Sequence, residues 1–422
     1  MYDQSFNSIS LSRMLRKNDF YVRPWLRTPA TKEIMIENAA SRSIQGFAGY
    51  NFLSSTKLRG KDVYRIPNFS DELVLRKIDK NLKKAKPIHA PSRDSIIAKL
   101  KNLVSEGVQY RIYRLDIKSF YESFNTGLVL NDVNAIKGLS PQTKEFIKDI
   151  LDVFIASGGK GLPRGLALSA TLSEISMASF DRIVASMPGV FFYCRYVDDI
   201  IIISSGVKNP KQFLKTVAAS LPSGLTLNQK KQYVCKVNDA SPFKPTPQNP
   251  TNPKILSFEY LGYRFDIYNP TKNPTKKNEP RDVVLDIAKS KVDKMKSRIT
   301  LAYLDFCKNR DFPLLEMRIK FLTSNFSISD INRGGYRLAG IYHNYHRIDP
   351  SKSVALDQLD EYLRRATTSS YGKVFNDFYC KTTASQRRRL LTFSFKRGFT
   401  DRVYLHFNRH QFKAIGECWE YV

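Results

Sequence analysis

Two periodicities alternate along this chain. Residues 71–86, DELVLRKIDKNLKKAK, place Leu73, Ile78 and Leu82 on one side at helical spacing, with Lys77, Lys80, Lys83 and Lys84 largely elsewhere, which predicts an amphipathic helix. Its lysines suit either a solvated face or a surface that tracks phosphates. From Tyr110, YRIYRLDIKSFYESF begins with the alternation of a strand and then turns. Residues 157–186 read as a glycine-rich loop followed by a long helix. Leu168, Leu172 and Ile175 form its apolar stripe, and Ser169, Ser173 and Ser176 a small polar one.

The run FFYCRYVDDIIIISSG, residues 191–206, is apolar enough for a buried strand, yet Asp198 and Asp199 interrupt it. Burying unpaired charge is costly. Two strands joined as a hairpin would put the pair at the tip. Residues 211–231 then read as a helix, a Pro-Ser-Gly turn and a short extended piece, and residues 255–268, ILSFEYLGYRFDIY, have strand character. Pro/Asn/Lys-rich stretches at 241–254 and 269–281 read as loops. Beyond Asp282 the pattern turns largely helical, which places a domain boundary near 281.

Composition narrows the function classes. The 422 residues are too many for one core and imply two or three subdomains. Lys plus Arg number 68 against 39 Asp plus Glu, a net charge of +29 that points to a polyanionic partner, most often nucleic acid. No apolar run approaches 18 residues, so a membrane span is not expected, and the first twenty residues lack a signal-peptide core. Five scattered cysteines without CxxC spacing support neither zinc nor a disulfide framework, and His343, His346, His406 and His410 have no metal spacing. These features fit a reducing, cytoplasmic setting.

Asp116 ends the strand-like YRLD. If its strand lies beside the hairpin, three carboxylates converge, and they repel one another unless a divalent cation is present. Oxygen donors without His or Cys suit Mg²⁺ or Mn²⁺. Two such ions ~3.5–4 Å apart are a known device for phosphoryl transfer. An Asp-Asp dipeptide alone is more often a turn or a helix cap.

Five segments, in order over about residues 60–265, resemble reverse transcriptases. Tyr196-Val197-Asp198-Asp199 matches their Y-x-D-D motif, and Asp116-Ile117-Lys118-Ser119-Phe120-Tyr121 their first catalytic motif. Gly161-Leu162-Pro163-Arg164-Gly165 with Ser169 looks like their G-L-P loop, GLTLNQKK (224–231) like the next motif, and FEYLGYRF (258–265) like the primer grip. The resemblance implies an α+β right-hand polymerase with fingers, a palm built on an antiparallel sheet, a thumb and a mainly helical C-terminal region. The implied divisions are 1–110 for the N-terminal region and fingers, 111–268 for the palm with a fingers insertion at about 125–160, and 282–422 for the thumb and a basic C-terminal region.

It also implies roles. Asp116, Asp198 and Asp199, with the Ile117 carbonyl, would bind two Mg²⁺. Tyr121 would be a steric gate against the ribose 2′-hydroxyl, or else core packing. Lys231, with Lys230 as competitor, would stand near the leaving pyrophosphate as a proton donor. Gly161 and Gly165 would let the backbone approach a nucleotide, with Pro163 stiffening the loop and Arg164 in the pocket. Lys61 and Arg65 would clamp the incoming triphosphate, or else be ordinary surface charge. Tyr260, Leu261 and Gly262 would be the primer grip.

Departures from the common pattern, Arg164 for Gln, Ala170 for Pro and Glu174 for Asn, resemble bacterial abortive-infection and antiphage defence reverse transcriptases. That subgroup implies RNA-directed DNA synthesis with a noncoding RNA template and nascent DNA as partners, and a second defence protein or a second copy of the chain as further candidates. Template-independent or protein-primed synthesis on the same palm, and a non-catalytic maturase-like RNA-binding protein, are the alternatives. In the C-terminal region SQRRRLLTFSFKRGFTDRVYLHFNRHQF (385–412) interleaves cations with aromatics, which suits either single-stranded nucleic acid or a packed amphipathic element.

Overall fold

A computed structural model describes residues 2–58, 60–88, 90–206, 209–247, 251–271, 280–330, 335–370 and 372–420; parts of the two Pro/Asn/Lys-rich stretches, 248–250 and 272–279, lie outside them. The chain divides into two compact units. The first comprises 1–96, 109–238 and 331–335, the second 97–108, 239–330 and 336–422.

In the first unit an antiparallel hairpin, β1 (Ser54–Leu58) and β2 (Lys61–Arg65), precedes a four-stranded antiparallel sheet of β3 (Tyr110–Asp116), β4 (Val190–Tyr196), β5 (Asp199–Ser204) and β6 (Tyr233–Val237). The sheet order is β4-β5-β3-β6. β5 is therefore interior, which explains its four isoleucines: Ile200 and Ile202 join the main core, and Ile201 and Ile203 are buried on the opposite face. Tyr113 and Leu115 of β3, register partners of Ile202 and Ile200, share the core face. The long helix Ala167–Ala185 contributes Leu168, Leu172, Met177 and Phe180 to that core, and the helix Phe69–Ala85 contributes Leu73, Val74, Ile78 and Leu82. Asn68 caps the latter helix by accepting from the Ser70 amide. Lys77 fits neither the solvated face nor the phosphate-tracking surface that the sequence allowed for these lysines: it is 3 % exposed and donates to the Asp3 carbonyl at 2.7 Å.

The second unit carries β7 (Lys254–Tyr260), β8 (Tyr263–Tyr268) and β9 (Asp282–Ile287) as an antiparallel sheet in that order. β9 corrects the helical reading of 282–287. Leu285 and Ile287 pair with Phe265 and Tyr263, and the helix begins only at Lys289. Asp286, wholly buried, accepts from Arg264, the Ser353 hydroxyl and the Ala355 amide, and so fixes the start of the helix Val354–Thr368 to the sheet. The rest of this unit is largely helical. Phe395, Phe399 and Phe407 are buried, so half of the six Phe and Tyr side chains interleaved with cations there are committed to packing, while Tyr404 stays exposed.

Candidate active site

The two strands flanking the Asp pair form the expected hairpin, with Val197 and Asp198 as its turn. Val197 has φ +60°, a strained region for a β-branched residue at a position where such turns favour glycine. Asp199 is the direct register partner of Asp116. Opposed residues of an antiparallel pair project from one face, here the face away from the Leu115–Ile200 core pair. Asp198 adjoins them: its carbonyl accepts from the Ile117 amide at 3.0 Å. Burial, then the charges of Asp198 and Asp116, push the Asp199 carboxyl up to about 6.

Asp116 is held from the other side. Lys231 Nζ lies 2.8 Å from one of its carboxylate oxygens and Asn228 Nδ2 2.9 Å from the other. The Asn228 amide also donates to the Asp116 carbonyl, and Lys118 to the Thr226 carbonyl, so motif residues 226–231 are stitched to the end of β3. The hydrogen bond to Asp116 raises the Lys231 ammonium above its ordinary value. Among the described residues no group of three or more His, Cys, Asp or Glu side chains is arranged to hold a metal ion. The donor chemistry nonetheless suits a hard divalent cation, because Asp116 and Asp199 are register partners, Asp198 adjoins them in the turn, and their charges add to burial in raising Asp199.

Behind the hairpin stands a network that the motif reading missed. Arg195, 7 % exposed, reaches Glu174 at 3.0 and 2.8 Å, Asp181 at 2.8 Å through two nitrogens, and the Val197 carbonyl at 3.0 Å. Burial opposes its charge, but Asp181 and Glu174 outweigh burial and raise the guanidinium above its ordinary value. Glu174 and Asp181 come from the helix Ala167–Ala185, so this helix braces the strained turn that presents Asp198. An arginine inside the apolar run YCRYV was the signal, since a cation there needs buried partners.

The glycine loop closes on protein. A Cβ on Gly161, φ +68°, would lie 2.2 Å from the Tyr121 carbonyl oxygen, and one on Gly165, φ +107°, would lie 2.6 Å from that of Tyr64. The closeness that requires glycine here is to the Tyr121 segment and to β2, where the sequence suggested a nucleotide. The Leu162 amide donates to Tyr121 and the Tyr64 amide to Arg164, and the Pro163 carbonyl accepts from the buried Ser169 hydroxyl at 2.7 Å. Ser169 and Ser173 are buried, so they do not line an open stripe.

Arg164 pairs with Glu122 at 2.9 and 3.0 Å, and its guanidinium stands 5.2 Å from the centre of the Tyr121 ring. Lys61, Ser119, Glu122, Lys160 and Arg164 line one cavity beside this loop. Arg65 is not on that wall; its Nε faces the Ser54 hydroxyl at 3.4 Å. In the second unit Tyr260 is buried, and Leu261 and Gly262, with φ +46° and +82°, make the tight turn between β7 and β8.

Residues 62–265, a little under half of the chain, match the family described as "Reverse transcriptase (RNA-dependent DNA polymerase)". No curated protein sequence matches the chain. Among solved structures it is similar to an apo telomerase from Candida tropicalis truncated from its C-terminal domain, at 14 % identity and a TM-score of 0.33, covering 57 % of this chain and 58 % of that one. It is also similar to a telomerase from Candida albicans bound to a fragment of telomeric RNA, at 10 % identity and a TM-score of 0.33, covering 87 % and 61 %. The chain spans about three-fifths of the length of each.

Proposed function

From a chain whose residues 62–265 are a reverse transcriptase domain, we propose an RNA-directed DNA polymerase that adds deoxynucleotides to a 3′ end by two-metal phosphoryl transfer. The observation that carries this reading is the pairing of Asp116 with Asp199 across two core strands, with Asp198 in the adjoining turn. Those carboxylates and the Ile117 carbonyl would hold Mg²⁺ or Mn²⁺, whose chemistry is to acidify the attacking hydroxyl and steady the leaving pyrophosphate. The chain's own groups do the rest. Lys231, beside Asp116, supplies a proton to the departing pyrophosphate. Tyr121, fixed by the glycine loop and by Arg164, crowds a 2′-hydroxyl, and Lys61 and Arg164 draw the triphosphate. The turn at Leu261 and Gly262 grips the primer.

The Arg164, Ala170 and Glu174 variants support membership of the bacterial defence group, acting on phage infection with a noncoding RNA template. The test is to purify the protein with its bound nucleic acid, add labelled dNTPs singly with Mg²⁺, and sequence the product. A product complementary to the RNA is expected. Retained RNA without incorporation would leave a maturase-like binder, and a product unrelated to the RNA would mean template-independent synthesis.

A further inference from the structure

The lysines of the helix Phe69–Ala85 are not explained by the catalytic carboxylates. Lys80, Lys83 and Lys84 occupy one face at i, i+3 and i+4, where like charges weaken a helix. They line a cleft of about 520 Å³ together with Arg13, Arg16 and Arg76. Asp79 is the acidic residue on that wall, and it is committed to Lys83 at 2.6 Å. Arg76 is neutralised by Asp19 and Glu72. Arg16 is held below the ordinary arginine value by burial and then by the charge of Arg76, against Asp19, Glu72 and Asp79. Arg13 reaches Asp3 at 4.0 Å in an exposed pair, and Lys80 and Lys84 are exposed at the cleft, whose wall sets Arg13, Arg16, Arg76, Lys80, Lys83 and Lys84 against the single carboxylate of Asp79.

We propose that this cleft, formed by Arg13, Arg16, Lys80 and Lys84, binds consecutive phosphates of an RNA strand. Closely spaced anions relieve the crowding that the fold maintains, and a chain of net charge +29 with a reverse transcriptase domain meets such anions on nucleic acid. The inference rests on the nucleic-acid reading above but requires no catalysis. The phosphates come either from the backbone or from a 5′-triphosphate end.

The experiment measures equilibrium binding of the full chain to a single-stranded RNA, without dNTPs, between 0.05 and about 0.3 M salt. It compares wild type with Arg13→Gln/Lys80→Gln/Lys84→Gln, which spares the buried ion pairs. Each phosphate contact on a single strand contributes about 0.7 to the slope of log K against log salt, so the slope should fall by about 2 and the affinity by about 100-fold near 0.1 M. RNA with a 5′-hydroxyl is compared with RNA carrying a 5′-triphosphate; a loss confined to the latter assigns the cleft to the strand's end, and an equal loss to its backbone. If the triple variant melts lower, Lys84→Gln alone is read, with an expected fall of about 0.7. An unchanged slope would overturn the proposal, and an acidic protein would then be the better occupant. Because dNTP incorporation is assayed separately, failure of polymerisation and failure of the cleft are distinguishable.

Discussion

Lys231 Nζ sits 2.8 Å from the Asp116 carboxylate and so occupies the side of Asp116 that a cation would share. An ion held by Asp116 would compete with this ammonium for one anion. Lys231→Ala should therefore lower the Mg²⁺ concentration needed for half-maximal incorporation, while slowing the chemical step by about 100-fold or more through loss of the proton donor. Single-turnover rates across a Mg²⁺ titration separate the two effects. An unchanged rate would remove Lys231 from the mechanism.

Asp199 supplies a pH signature. Its folded-state value, about 6, lies above the ordinary 3.8 because of burial and the neighbouring Asp198 and Asp116. Between those values the folded state keeps a proton that the unfolded state has lost, so stability declines as pH rises through the window, and the penalty is complete above about 6. Asp199→Asn should raise the melting temperature at pH 8 and change it little at pH 4. Added Mg²⁺ should stabilise the wild type at pH 8, and far less at pH 5, where the carboxyl is protonated. Melting differences independent of pH would contradict this picture.

Arg195 ties the helix Ala167–Ala185 to the turn that carries Asp198. Arg195→Ala strands Glu174 and Asp181 and should cost about 3–5 kcal/mol, measurable by urea unfolding. Glu174→Gln keeps a hydrogen-bonding group and should cost less. If both variants unfold like the wild type, the network does not brace the hairpin.

The glycine loop offers an internal control. Gly161→Ala combines a left-handed φ with overlap on the Tyr121 carbonyl and should destabilise by about 2–5 kcal/mol. Gly138, φ +81°, faces open space, with no atom within 4 Å of where an alanine methyl would stand. Gly138→Ala should therefore show only the backbone cost of about 1–2 kcal/mol. Equal losses would mean that the approach of the loop to Tyr121 is not tight.

The hairpin could be read in the sequence because the period of a strand is local, whereas the convergence of Asp116 with Asp199 joins strands distant in the chain and was implied only by the resemblance. The run after Asp198 is buried and needs paired neighbours, and its pairing with the run before it, which as an edge strand leaves Phe191 and Tyr196 exposed, fixes the tip. What stayed hidden depends on elements distant in the chain. Glu174 stands out in the sequence only as a departure from the family pattern, and its partner Arg195 lies on another element. Lys77 sits on the polar side of its helix by spacing but is covered by the N-terminal segment at Asp3. Gly161 signalled a close approach without revealing that its neighbour is the Tyr121 carbonyl. The strand Asp282–Ile287 ran into the helical pattern because only the Ala288 step separates it from the helix at Lys289.

The most direct measurement is single-nucleotide extension of a primer annealed to RNA, comparing wild type with Asp198→Asn/Asp199→Asn under Mg²⁺ at pH 8, with melting curves of both proteins. The expected result is extension by the wild type and none by a variant that remains folded. Extension that survives in the folded variant would contradict the assignment of these carboxylates to catalysis.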